Sequence, residues 1–269
     1  MHSSAVYGAV FSPNGKRIVT ASVDGAIQVW DADAGKPVSL PIMHASAVNT
    51  AVLSRDGSLL VTTTQDNIAR IWDVANSAVL HSLIGHEAQI RSALFSPDDR
   101  FVVTASQDKT ARIWEAASGI EISVLKGHTG WVLSAAFSTD GKRVVTASQD
   151  KTARVWDVQT GQEILDLTGH GTSVLSAVFS KDGQRLLTAS ADGTARIWNI
   201  STLPKGNIFD IACALLPDKK LEGAVIRDLD PALKKDPICA EGQRPPIPTL
   251  PWANDVVEVK DPHSLDPVP

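Results

Sequence analysis

Five tryptophans, Trp30, Trp72, Trp114, Trp156 and Trp198, stand 42 residues apart with no insertion or deletion between them. His2, His44, His86, His128 and His170 keep the same interval, and so do Asp24, Asp66, Asp108, Asp150 and Asp192. The stretches TASQDKTARIW, from Thr104 to Trp114, and TASQDKTARVW, from Thr146 to Trp156, differ only in Ile113 against Val155. A strict period of this length means one small structural unit repeated five times, and it outranks every other feature in constraining the fold.

Each unit divides into four short runs. In the unit opening at His128 they are WVLSAAF, RVVTAS, TARVW and QEILDL, separated by STDGK, QDK and DVQTG. Runs this short, rich in Val, Ile, Leu and Thr and bounded by Gly, Asp and Ser, predict strands rather than helices. VVTAS is apolar on both sides, as a sheet covered on both faces requires. The expectation is an all-β protein of five four-stranded antiparallel sheets that stack to bury one another. In such a meander the loop entering strand one and the turn joining strands two and three fall on one edge.

A period of about 40 residues with Gly-His before and Trp-Asp after resembles the WD-repeat β-propeller family. Gly85-His86, Gly127-His128 and Gly169-His170 keep the first pair, and Met1-His2 and Met43-His44 keep only the histidine. Trp30-Asp31, Trp72-Asp73 and Trp156-Asp157 keep the second, which becomes Trp114-Glu115 and Trp198-Asn199 elsewhere. The match covers residues 2 to about 200. The resemblance implies a structural hydrogen-bonded tetrad in every unit: His2, Thr20, Asp24, Trp30; His44, Thr62, Asp66, Trp72; His86, Thr104, Asp108, Trp114; His128, Thr146, Asp150, Trp156; and His170, Thr188, Asp192, Trp198.

Thr, His and Asp also make up a nucleophilic triad, but an active site is one constellation in one pocket. Five copies at one interval, each beside its own Trp, favour the structural role. Each His/Asp pair offers only two good metal ligands, so no metal and no cofactor is expected. The arginines of the TAR triplets and their equivalents, Arg70, Arg112, Arg154 and Arg196, with Gln28 in the first unit, form either a charged ladder or an anion-binding ring.

Function is then expected where the repeats differ. The resemblance implies docking at three and five residues after His and at the residue before Asp. Those positions hold Ala5, Tyr7 and Val23; Ala47, Asn49 and Gln65; Gln89, Arg91 and Gln107; Trp131, Leu133 and Gln149; and Ser173, Leu175 and Ala191. Trp, Tyr and Arg dominate interface energetics, and Trp131 is the one Trp of the array outside the 42-residue register. A protein or peptide partner is the expectation, with a non-enzymatic scaffold or sensor as the role. The alternative is a propeller enzyme with a site in its central channel.

A net charge of −5 with no basic block argues against nucleic acid and anionic membrane as partners. No apolar run is long enough to cross a bilayer, and the N-terminus lacks the features of a secretory signal, so a cytoplasmic setting is expected. Of fifteen prolines, eleven follow residue 201, and of eighteen glycines only three do, which divides the chain into a 1–201 array and a 202–269 tail. In the tail, Asn207–Pro217 and Leu221–Leu229 read as short helices, Arg244–Pro251 as polyproline II, Asp255–Asp261 as an edge strand and DPHSLDPVP as mobile. IACALLPD and DPIC resemble the tail of some bacterial WD-repeat proteins. Cys213 and Cys239 are either buried thiols or a pair. Five units are fewer than the family's usual seven, and the expectation is that no outer strand ahead of His2 is on hand to close a ring. Three arrangements follow: part of a longer chain, a five-bladed ring, or an open arc that self-associates.

Overall fold

A computed structural model describes residues 2–201 and 257–260. It contains five four-stranded antiparallel sheets, each a meander in which consecutive strands are hydrogen-bonded neighbours. The first sheet holds β1 (Val6–Phe11), β2 (Arg17–Ser22), β3 (Ala26–Asp31) and β4 (Ile42–Met43). The second holds β5 (Val48–Leu53), β6 (Leu59–Thr64), β7 (Ala69–Asp73) and β8 (Ala78–Leu83), and the third β9 (Ile90–Phe95), β10 (Phe101–Ser106), β11 (Thr110–Glu115) and β12 (Glu121–Lys126). The fourth holds β13 (Val132–Phe137), β14 (Arg143–Ser148), β15 (Ala153–Asp157) and β16 (Glu163–Leu167). The fifth holds β17 (Val174–Phe179), β18 (Arg185–Ser190), β19 (Thr194–Asn199) and β20 (Val257–Lys260).

Two of these sheets depart from the repeat. β4 is only two residues long, because Pro41 immediately before it has no N–H for the ladder. In the fifth sheet the outer place is taken by β20, which pairs antiparallel with β19 from Thr194↔Lys260 to Ile197↔Val257. It lies within the Asp255–Asp261 segment. The two helical segments, the polyproline stretch, both cysteines and DPHSLDPVP lie outside the described residues.

The core is a series of inter-sheet layers. One face of each sheet, typified by Val145, Ala147, Ala153 and Val155, packs on the opposite face of the next, typified by Val174, Ala177, Leu186 and Trp198. The same layer recurs between sheets one and two, two and three, and three and four. Strand two of units two, three and four is buried along five of its six residues, as an element covered on both sides should be. The first strands of neighbouring sheets pack together, β5 on β9, β9 on β13 and β13 on β17, so they form the inner side of the stack.

Candidate functional site

The edge that carries the histidine loops and aspartate turns is organised by the tetrads. In the third unit Trp114 Nε1 donates to Thr104 Oγ1 at 2.9 Å, and Thr104 Oγ1 lies 2.7 Å from His86 Nε2. His86 Nδ1 lies 2.6 Å from Asp108 Oδ2. Since Asp accepts only, Nδ1 carries the proton, and the threonine hydroxyl donates to the bare Nε2. The fourth unit repeats this with 2.8, 2.7 and 2.8 Å and the fifth with 2.9, 2.7 and 2.9 Å.

Burial alone would raise the Asp150 carboxyl, but hydrogen bonds from Thr152 and His128 and the adjacent imidazole outweigh it and hold it at about 2. Burial also pushes His128 down, against the pull of Asp150. The backbone N–H of the residue after each of these histidines bonds the same carboxylate, which ties loop to turn.

The first two units do not complete the tetrad, and this corrects the expectation of five alike. In the first, His2 Nε2 lies 2.7 Å from Thr20 and Trp30 donates to Thr20 at 2.8 Å, but His2 Nδ1 is buried without a partner. Asp24 takes the N–H and hydroxyl of Ser3 instead, at 2.9 and 2.6 Å. In the second, Trp72 donates to Thr62 at 2.8 Å, yet His44 Nε2 is buried with no hydrogen bond and the imidazole packs edge-on against Trp72.

In the second unit the cause lies on the outer strand. Arg112 and Arg154 reach across to Glu121 and Glu163 at 2.5 and 2.6 Å. The corresponding residue of unit two is Val79, so Arg70 turns inward to Asp66 at 2.6 Å. With Asp66 engaged by Arg70 and Thr64, His44 is left to desolvation and the nearby Arg70 charge, which together pull it down to about 4.

These pairings bear on the arginine ladder. Arg70, Arg112 and Arg154 are each neutralised by a carboxylate, with Asp166 a second partner for Arg154 at 3.3 Å, which favours a ladder over an anion ring. They also explain Gly-His. A Cβ on Gly85 would fall 2.5 Å from Arg112 Nη1 and 3.2 Å from Trp114 Cη2, so only glycine lets the guanidinium lie there.

The docking positions share two backbone features. First, in four of the five units the residue before Asp donates its N–H to the carbonyl three residues after His: Val23 to Ala5, Gln107 to Gln89, Gln149 to Trp131 and Ala191 to Ser173, at 2.9–3.0 Å. Second, the residue five after His is skipped by the ladder. The register jumps from Val6 to Gly8, Val48 to Thr50, Ile90 to Ser92, Val132 to Ser134 and Val174 to Ser176. Tyr7, Asn49, Arg91, Leu133 and Leu175 are therefore all bulge residues at the entrance to the inner strand. A bulge leaves its extra residue out of the ladder and bends the strand, which re-aims the side chain there. Sequence reasoning missed these bulges, although the small residue after each one (Gly8, Thr50, Ser92, Ser134 and Ser176) was a recurring signal.

The structure divides the edge into two characters. Asn49, Gln89 and Gln107 are half-buried and wired together: Gln107 Nε2 to Gln89 and Gln89 Nε2 to Asn49 at 3.3 Å, and Asn49 Nδ2 to the Ile90 carbonyl at 3.1 Å. Arg91 and Gln65 are exposed beside them, and Arg91 makes no ion pair among the described residues. In units four and five, Trp131 is 43% exposed and Leu175 is 50% exposed, with Leu133 half-buried and Gln149 exposed. Gly130 brings this loop close, since a Cβ there would meet the Asp150 backbone nitrogen at 2.7 Å.

Among the described residues no group of three or more His, Cys, Asp or Glu could hold a metal ion, and no helix is long and apolar enough to cross a membrane. The family model described as WD domain, G-beta repeat, matches residues 1–31, 35–73, 77–115, 119–157 and 161–199. A search of the curated proteins finds no match.

Proposed function

Because the chain belongs to the WD40 repeat family, whose repeats generally serve as protein–protein interaction scaffolds, we propose that it is a non-enzymatic docking module that reads an extended peptide segment across the histidine–aspartate edge. The observation that carries this reading is the bulge at the same place in every unit. The repeats are nearly uniform in their strands, yet the bulged positions hold Tyr, Asn, Arg, Leu and Leu. A surface built from constant backbone and variable side chains suits recognition better than catalysis, which needs convergent acids, bases or nucleophiles.

The two halves of the edge suggest the chemistry of the segment. Trp131 and Leu175 would receive an apolar side chain, and the exposed Arg91 a carboxylate, with the Asn49–Gln89–Gln107 strip pairing with peptide groups in between. Aromatic and arginine anchors in such a setting carry most of the binding energy.

The test is selection of a random peptide library on the full chain, followed by titration of the enriched peptides. Peptides pairing an aliphatic or aromatic residue with an acid are expected. Trp131→Ala should weaken them by about tenfold or more, roughly 1.4 kcal/mol, and Arg91→Glu should select against the acid. Leu80→Ala, on the outer strand, should leave them unchanged. Selected peptides that bind equally well to Trp131→Ala and Arg91→Glu would place recognition elsewhere.

A further inference from the structure

All four inter-sheet layers within the chain follow one plan. The forward face of a sheet, carrying the second and third strands' apolar residues, seats on the rear face of the next sheet, which carries its Trp. Among the described residues, the forward face of the fifth sheet and the rear face of the first have no such mate. Leu187 holds the place of Val145 but is 44% exposed, where Val145 is fully buried. At the other end, Val6 holds the place of Val132 and is 48% exposed against 0%. Phe11 is 62% exposed, and Trp30 is the one register tryptophan that is not buried. Apolar sheet faces left open in this way drive association.

We propose that these two faces mate between copies of the chain, head to tail, with the forward face of one copy's fifth sheet seated on the rear face of another copy's first. A second copy is the occupant because it supplies the surface that this chain's forward faces already bind four times, with β-branched and leucine side chains on one side and a Val, Phe and Trp set on the other. Forward meets rear, so the contact is heterologous, and each added copy leaves one face of each kind available unless a ring closes. These faces are separate from the docking edge, so the proposal stands independently of the peptide reading.

The experiment is light scattering after size exclusion on the full chain over a range of concentrations, with two variants at exposed positions. The unmodified chain is expected at twice the 28.6 kDa chain mass or more, rising with concentration. Leu187→Glu removes every usable forward face and Val6→Glu every usable rear face, so each alone should run at the chain mass. Mixed in equal amounts they should form one stable species at twice that mass, because one variant keeps the rear face and the other the forward face. Far-UV circular dichroism checks the fold. If either variant fails it, Val178→Lys and Phe11→Lys, on the same two faces, take their places. An unmodified chain that stays at the chain mass throughout would overturn the proposal. So would variants that still associate alone, or a mixture that does not pair.

Discussion

His128 and His44 occupy the same place in the repeat and do opposite things. His128 is a relay whose loss leaves the Thr146 hydroxyl and the Asp150 carboxylate each one hydrogen bond short. Each is an interior group whose desolvation cost is no longer offset when its partner goes. His128→Ala should therefore cost ~1–3 kcal/mol, read as a lowered melting temperature, and an unchanged melt would remove the tetrad from the account of stability. His44 instead has no acceptor and is held neutral down to about pH 4, well below its ordinary 6.5. Its folded pKa is lower than its unfolded one, so as pH falls below 6.5 the unfolded chain takes up a proton that the folded chain refuses. Stability is complete above about 6.5 and declines towards 4. The double variant Met43→Gly/Val79→Glu gives Arg70 an outer-strand carboxylate and releases Asp66 to His44. It should flatten that decline, measured as denaturant midpoints between these two pH values; a slope like the parent's would show that His44 is not its source.

At the scale of elements, the strands were legible because period-two burial and turn residues are local signals. The 128-unit's four expected runs became β13 to β16 with ends moved by only a residue or two. The turn joining strands two and three shows where local reading stops. Gly25 and Gly193 take φ of 79° and 82° there, and Lys109 and Lys151 take 72° and 75° at the same position. A lysine in the left-handed region pays for its Cβ, and nothing in QDK announces it. Lys151→Gly should stabilise the protein by about 1 kcal/mol, seen as a higher melting temperature, and a loss of stability would mean that the lysine side chain makes up the strain. The broken tetrad of unit two was illegible for a different reason. Its four letters are all present, and the defect comes from Val79, a residue outside the motif on a strand formed later in the chain. The Tyr7, Asn49, Arg91, Leu133 and Leu175 bulges were hidden because a skipped residue looks like any other in a one-dimensional pattern.

For the molecule as a whole, stability should be graded along the stack. Among the described residues, sheets two, three and four are covered on both faces, and one and five on one only, so amide exchange should be slowest in β6, β10 and β14 and faster in β2 and β18. Uniform protection across the five would mean that the terminal faces are covered in solution, as the head-to-tail contact requires at high concentration, and dilution should restore the gradient. The bulges have a consequence at this scale too. A residue that the ladder skips has no cross-strand ladder partner to satisfy, so the ladder constrains its identity less than that of its neighbours, although Asn49 still bonds the Ile90 carbonyl. On the proposed docking role, the chain holds five slots on a repeated frame, and changing the letter in one slot would alter what the surface reads while leaving the fold in place.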